Sequence, residues 1–152
     1  MTTLKVGDKA PDFSVTDQNG KVHTLADYSG KILAIYFYPK DMTPGCTAQA
    51  CDLRDHETVL MKKNIQVIGV SADDEKRHAK FAEKYELPFP LLADTDLTMI
   101  KAYGVWGPKK FMGKEYEGIH RTTFIIDEKG IIKAIIEKVK TKEHAAQILD
   151  VL

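Results

Sequence analysis

The amino-acid order predicts an α/β fold with a central mixed β-sheet flanked by helices and an N-terminal β-hairpin. Three observations carry that prediction. Ile32-Leu33-Ala34-Ile35-Tyr36-Phe37-Tyr38 and Ile65-Gln66-Val67-Ile68-Gly69-Val70 are apolar, branched runs of the kind buried on both faces of a sheet. Between them, from near Cys46 to Lys63, the chain is rich in Ala, Leu, Met, Glu and Lys and holds no Gly or Pro. Strand, helix and strand then make a right-handed βαβ unit with parallel strands. Downstream, Thr122 to Ile126 and Ile131 to Ile136 flank the turn Asp127-Glu128-Lys129-Gly130, an antiparallel hairpin that makes the sheet mixed.

The remaining elements follow in order. Phe13-Ser14-Val15 and Val22-His23-Thr24 read as short strands around the turn Asp17-Gln18-Asn19-Gly20, and Tyr28-Ser29-Gly30 leads into the first long strand. Pro39 stops that strand, and Pro44 and Gly45 precede the helix that starts near Cys46. Asp73 or Asp74 can cap the next helix, which runs to about Tyr85 before Pro88 and Pro90 block it. Leu91-Leu92-Ala93 is strand-like, and Asp94 to Tyr103 a short helix. Gly104 to Gly118 shows no clear period and is expected to be loop, with Trp106, Phe111 and Tyr116 as packing residues rather than a pocket frame. Thr141 is the expected cap of a last helix whose apolar stripe is Ala145, Ile148, Leu149 and Leu152.

Bulk properties exclude several classes of function. A chain of 152 residues fits one domain, residues 1–152, that buries roughly 70% of its unfolded surface and needs no cross-link to fold. No internal repeat or linker divides it. The 22 basic and 22 acidic residues cancel without long blocks of either sign, so neither nucleic acid nor an anionic membrane is an expected partner. The N-terminus lacks an apolar signal core and no segment is long and apolar enough to span a membrane, so a cytoplasmic protein is expected. In a reducing cytosol, two cysteines are more readily catalytic than a permanent bridge.

Both cysteines, Cys46 and Cys51, fall just after the first long strand. A thiol in the first turn of a helix lies beside unpaired backbone N–H groups and the positive end of the macrodipole, which favour thiolate over thiol. Cys46 is therefore the candidate nucleophile.

The spacing of Pro39, Thr43 and Cys46 resembles the P-x-x-x-T-x-x-C signature of the peroxiredoxins, thiol peroxidases with a thioredoxin-like fold. The wider stretch Tyr38-Pro39-Lys40-Asp41-Met42-Thr43-Pro44-Gly45-Cys46-Thr47, with a second Cys five residues on, resembles the peroxiredoxin Q or bacterioferritin comigratory protein subfamily. The likeness continues through Ala10-Pro11-Asp12-Phe13, Gly69-Val70-Ser71, Tyr103-Gly104-Val105-Trp106 and Arg121-Thr122-Thr123-Phe124-Ile125-Ile126-Asp127, almost the whole chain. One position departs: the subfamily pattern has Glu three residues after the reactive Cys, and this chain has Gln49.

The resemblance implies a thiol-dependent peroxidase that reduces hydrogen peroxide and small organic hydroperoxides. Cys46 would be the peroxidatic residue, oxidised to sulfenic acid, and Cys51 the resolving residue that condenses with it to an intrachain Cys46–Cys51 disulfide. Thr43 would bond the thiolate and the peroxide, Pro39 would shield the thiolate and fix the loop, and Arg121 would stabilise both the thiolate and the leaving oxygen. Thioredoxin or a similar dithiol is the implied reductant; no metal, haem or flavin is implied. The C-x-x-x-x-C spacing is neither the C-x-x-C of a thioredoxin-type donor nor, without further ligands, a zinc site. His56 shares the nucleophile's helix without ligand spacing to the other histidines and is read as structural or surface. Because both cysteines are expected on one helix, the cycle needs no second subunit and a monomer is expected. Helix geometry adds a constraint: five residues along an α-helix advance about 7.5 Å and turn about 140°, leaving Cα atoms roughly 8 to 9 Å apart. A disulfide needs them within about 7 Å, so the helix must unwind before the bond closes.

Overall fold

The computed structural model describes residues 2–152. Strand β1 (Ser14–Thr16) pairs antiparallel with β2 (Val22–Thr24), and a single 3-10 turn (Leu25–Tyr28) leads to β3 (Ile32–Phe37). Helices α1 (Pro44–Asp55) and α2 (Glu57–Lys62) connect β3 to β4 (Ile65–Ser71). Then come α3 (Glu75–Tyr85), β5 (Leu91–Ala93), α4 (Thr98–Ala102), β6 (Trp106–Phe111), β7 (Lys114–Ile119), β8 (Thr122–Ile126), β9 (Ile132–Ile136) and α5 (His144–Asp150). The main sheet has the order β5-β4-β3-β8-β9. Within it β3, β4 and β5 run parallel, and β8 is antiparallel to both β3 and β9. The expected βαβ unit and mixed sheet are both present.

Alternation along β3 divides the core into two layers. Leu33, Ile35 and Phe37 face one side with Met99 and Ile100 of α4, Tyr103 and the N-terminal Ala10 and Phe13. Ala34, Tyr36 and Tyr38 face the other with Cys46, Ala50 and Leu53 of α1, Phe81 of α3 and Ala145 and Ile148 of α5. The reactive helix thus lies on the aromatic face of the central strand. Gly69 makes that floor possible, because a Cβ there would sit 2.8 Å from Cζ of Tyr36 and 2.9 Å from a methyl of Leu91. Tyr36 can therefore lie flat across β4.

Three local expectations are corrected. Residues 104–118 are largely a hairpin, β6 and β7, rather than loop. Its two-residue turn, Met112-Gly113, has φ of 51° and 78°, the backbone of a type I′ turn. Phe111 and Tyr116 lie exposed on this ribbon and pack in no core. The helix expected to run from Cys46 to Lys63 is broken at His56, whose Nδ1 meets the Asp52 carbonyl at 2.8 Å. The last helix starts after Glu143, not at Thr141, and Leu152 falls beyond its end. Of the two expected candidates, Asp74 caps α3, accepting from the Arg77 N–H at 2.8 Å. Among the described residues, no helix is long and apolar enough to cross a membrane.

Candidate active site

Helix α1 begins where the sequence makes it begin. Thr43 is extended (φ −72°, ψ 151°), its carbonyl accepts the Thr47 N–H at 2.8 Å, and Pro44 follows at a position where a missing N–H costs nothing. Cys46 therefore sits in the first helical turn, 1% exposed, among the unpaired N–H groups of the helix start. Tyr36 lies in the same core layer. Burial first, then the charges of Asp41 and Cys46, hold its phenol well above the ordinary tyrosine range, so it is a neutral floor.

Arg121, in the link between β7 and β8, reaches the thiol from the opposite side. Its Nη2 donates to Cys46 Sγ at 3.3 Å and its Nη1 to Gln49 Oε1 at 2.5 Å. Gln49 is buried one turn after Cys46 on the same face of α1, which is how a three-residue spacing brings both to one guanidinium. The position where this chain departs from the subfamily pattern is thus in contact with the site. A neutral amide there holds Arg121 without cancelling its charge.

The other expected residues are placed as follows. Pro39 follows the end of β3, half-buried. The Thr43 hydroxyl donates to the Lys40 carbonyl at 2.9 Å, so its proton is spent there rather than on the sulfur and its oxygen keeps acceptor capacity. Cys51 is partly exposed on α1, and both cysteines are free thiols on one unbroken helix. Pro39, Thr43, Cys46 and Arg121 lie on the elements that meet at the start of α1, whereas Cys51 stands about one and a half turns away.

Lys109 on β6 was not legible as a site residue, because its strand was not. Its ammonium donates to the Ile119 carbonyl at 2.9 Å and shares an open groove with His120, Arg121 and Lys138. Burial, then the charge of Arg121, lowers the Lys109 pKa, while Cys46 opposes the shift.

Residues 6–135 match the AhpC/TSA family. The chain is 47% identical over 150 residues to peroxiredoxin Bcp of Bacillus subtilis, covering 99% of this chain and 96% of that protein. The same figures hold for peroxiredoxin Bcp of Escherichia coli K12. Among solved structures, a cysteine-to-serine variant of Xylella fastidiosa peroxiredoxin Q aligns with a TM-score of 0.92 at 30% identity, over 99% of this chain and 96% of that one. The bacterioferritin comigratory protein of Xanthomonas campestris, studied for alkyl peroxide reduction, aligns with a TM-score of 0.87 at 33% identity, again over 99% and 96%.

Proposed function

The chain belongs to the AhpC/TSA family as a peroxiredoxin, a thiol-dependent peroxidase, and we propose that it runs its cycle on Cys46 and Cys51 within one chain. The Cys46 thiolate attacks the terminal oxygen of a hydroperoxide. The O–O bond breaks, the sulfur is oxidised to sulfenic acid, and the remaining oxygen leaves as alkoxide or hydroxide and takes up a proton. Arg121 faces the charge that develops on that oxygen, while Pro39 shields the thiolate and Thr43 accepts a hydrogen bond from the peroxide. The Cys51 thiolate then displaces hydroxide from the sulfenic sulfur, closing the disulfide, and thioredoxin or a similar dithiol reduces it by exchange. Hydrogen peroxide and small alkyl hydroperoxides are the substrate class, and one subunit suffices for every step.

The observation that supports this reading is the guanidinium of Arg121, 3.3 Å from a buried thiol in the first turn of α1. The test is a coupled peroxidase assay on three proteins. Cys46→Ser is expected to abolish turnover, and Cys51→Ser to consume about one equivalent of peroxide and stop at sulfenic acid or a higher oxide. A Cys51→Ser protein inert in the first turnover beside a reactive Cys46→Ser would reverse the two roles.

A further inference from the structure

The loop between β3 and α1 turns on Asp41, a buried carboxylate with 1% exposure. It is held on three sides. Asp41 Oδ1 accepts from the Tyr38 hydroxyl at 2.6 Å, Oδ2 meets His78 Nδ1 at 2.6 Å, and the Asp41 N–H donates to Asp73 Oδ2 at 2.8 Å. Asp73 is itself fixed by the Ser71 hydroxyl at 2.7 Å and by Arg77 Nε at 3.2 Å. His78 of α3 is fully buried, and its Nε2 donates to the Leu92 carbonyl of β5 at 2.9 Å. The network therefore ties the start of the loop to β3, β4, α3 and β5. Asp41, Asp73 and His78 bring potential ligand atoms within 4.8 Å of one another. Both Asp41 oxygens and both ring nitrogens of His78 are already engaged, so the cluster works as a hydrogen-bonded clamp.

The next residue shows why a clamp matters. Met42 has φ 68°, a left-handed backbone that a long side chain adopts at a cost of about 1–2 kcal/mol. Such a residue stays in place only when its neighbours over-determine it. The bonds that fix Asp41 are the restraints next to this φ, directly before Thr43 and, three residues further, Cys46.

We propose that His78 is a positioning residue for the reactive thiol, acting through Asp41 to hold the strained turn at Met42 and so the placement of Pro39, Thr43 and Cys46. This rests on Cys46 as the nucleophile. The function of the clamp is separable from thiolate formation, because Arg121 and the helix start act on the sulfur directly. A misplaced donor or acceptor slows peroxide attack, which needs an ordered approach, and leaves alkylation, which needs only an accessible thiolate.

The experiment compares two reactions of Cys46 in the Cys51→Ser background: sulfenic acid formation by hydrogen peroxide and alkylation by iodoacetamide. His78→Leu is expected to slow the peroxide reaction at least about tenfold while alkylation is unchanged or faster, and His78→Gln, which keeps an N–H donor, to recover part of the loss. The double variant Asp41→Ala/His78→Leu removes both buried polar partners together, avoids an orphaned carboxylate, and is expected to stay slow towards peroxide. Equal changes in the two reactions, no change in either, or a parental peroxide rate in the double variant would each overturn the proposal. A parent Cys51→Ser protein that forms no sulfenic acid at Cys46 would instead refute the assignment of the nucleophile.

Discussion

His78 and His144 are both 0% exposed and lie near opposite ends of α1, yet their ring nitrogens meet different partners. His78 faces two acceptors, the Leu92 carbonyl and the Asp41 carboxylate, so a proton is shared in the short contact with Asp41. His144 faces one acceptor, Gln147 Oε1 at 2.8 Å, and one hydroxyl, Thr123 Oγ1 at 2.7 Å, which can donate to it. That arrangement is complete with a neutral ring. Burial lowers the His144 pKa; Gln147 and Asp52 oppose that shift, and Arg121 adds to it. The same residue type thus makes a hydrogen-bonded clamp before the reactive helix and a neutral peg after it. The neutral peg sits beside a hydrogen bond from the Ala145 N–H to Asp52 Oδ2 at 2.8 Å, which ties α5 to the last turn of α1. Arg54, two residues on, donates to the Tyr85 carbonyl at 2.8 Å. The last turn of α1 is thus tied to α5 and α3, and the loop before its first turn to the Asp41–His78 clamp.

The largest expected effect tests that bracketing directly. On formation of the disulfide, amide exchange in residues 45 to 51 is expected to accelerate by about a hundredfold or more, while β4 and the Ala145 amide keep their protection. An oxidised protein with the helix fully retained, or a disulfide found only between chains, would remove the unwinding step. Loss of protection at Ala145 would show that the C-terminal anchor does not hold. Next in size, Arg121→Gln is expected to lower the thiolate fraction of Cys46 at neutral pH and to slow peroxide attack about tenfold or more, with the fold intact. Thiolate absorbance in the Cys51→Ser background and the rate of sulfenic acid formation check it, and no change in either would take Arg121 out of the site. Smaller again, Asp52→Ala leaves the Ala145 N–H without its acceptor and is expected to cost about 1 kcal/mol in denaturant unfolding.

The smallest effect separates the two histidines. Because the folded state lowers the His144 pKa below the ordinary value of 6.5, the unfolded chain binds more protons as pH falls through about 6.5, and stability declines towards acid. His144→Gln is expected to flatten that part of the melting-temperature profile, and an unchanged acid slope in the variant would mean that His144 does not contribute to it.

Much of this was legible along the chain. β3 and β4 announce themselves because strands buried on both faces need apolar residues at every position, and α1 because Pro44 and Gly45 sit directly before a long helix-forming run. Cys46 is visible because it occupies that junction, and Thr43 and Pro39 because their spacing from it resembles the peroxiredoxin signature. The β6–β7 ribbon was hidden for the opposite reason. Exposed on most of both faces, it carries no apolar alternation, and its turn uses Met112-Gly113 in place of the Asn-Gly that marks such hairpins. Lys109 was lost with it. The Asp41–His78 clamp spans 37 positions and is made only when α3 packs on the sheet, so no local pattern reports it. Gln49 was visible by spacing and Arg121 through the family-like pattern around it, but the bond between them, 72 positions apart, was not.

The placement of both thiols on one helix carries a thermodynamic consequence for the electron donor. Rewinding α1 is possible only after the proposed bond is cut, so the free energy of that rewinding is recovered on reduction and withheld on oxidation. Each 1.4 kcal/mol of helix stability raises the reduction potential of the disulfide by about 30 mV. Closing a six-residue ring costs only about 2 kcal/mol of chain entropy, and this too is recovered on reduction. The packing of Ala50 and Leu53 against the sheet therefore bears on how weak a dithiol can still reset the enzyme.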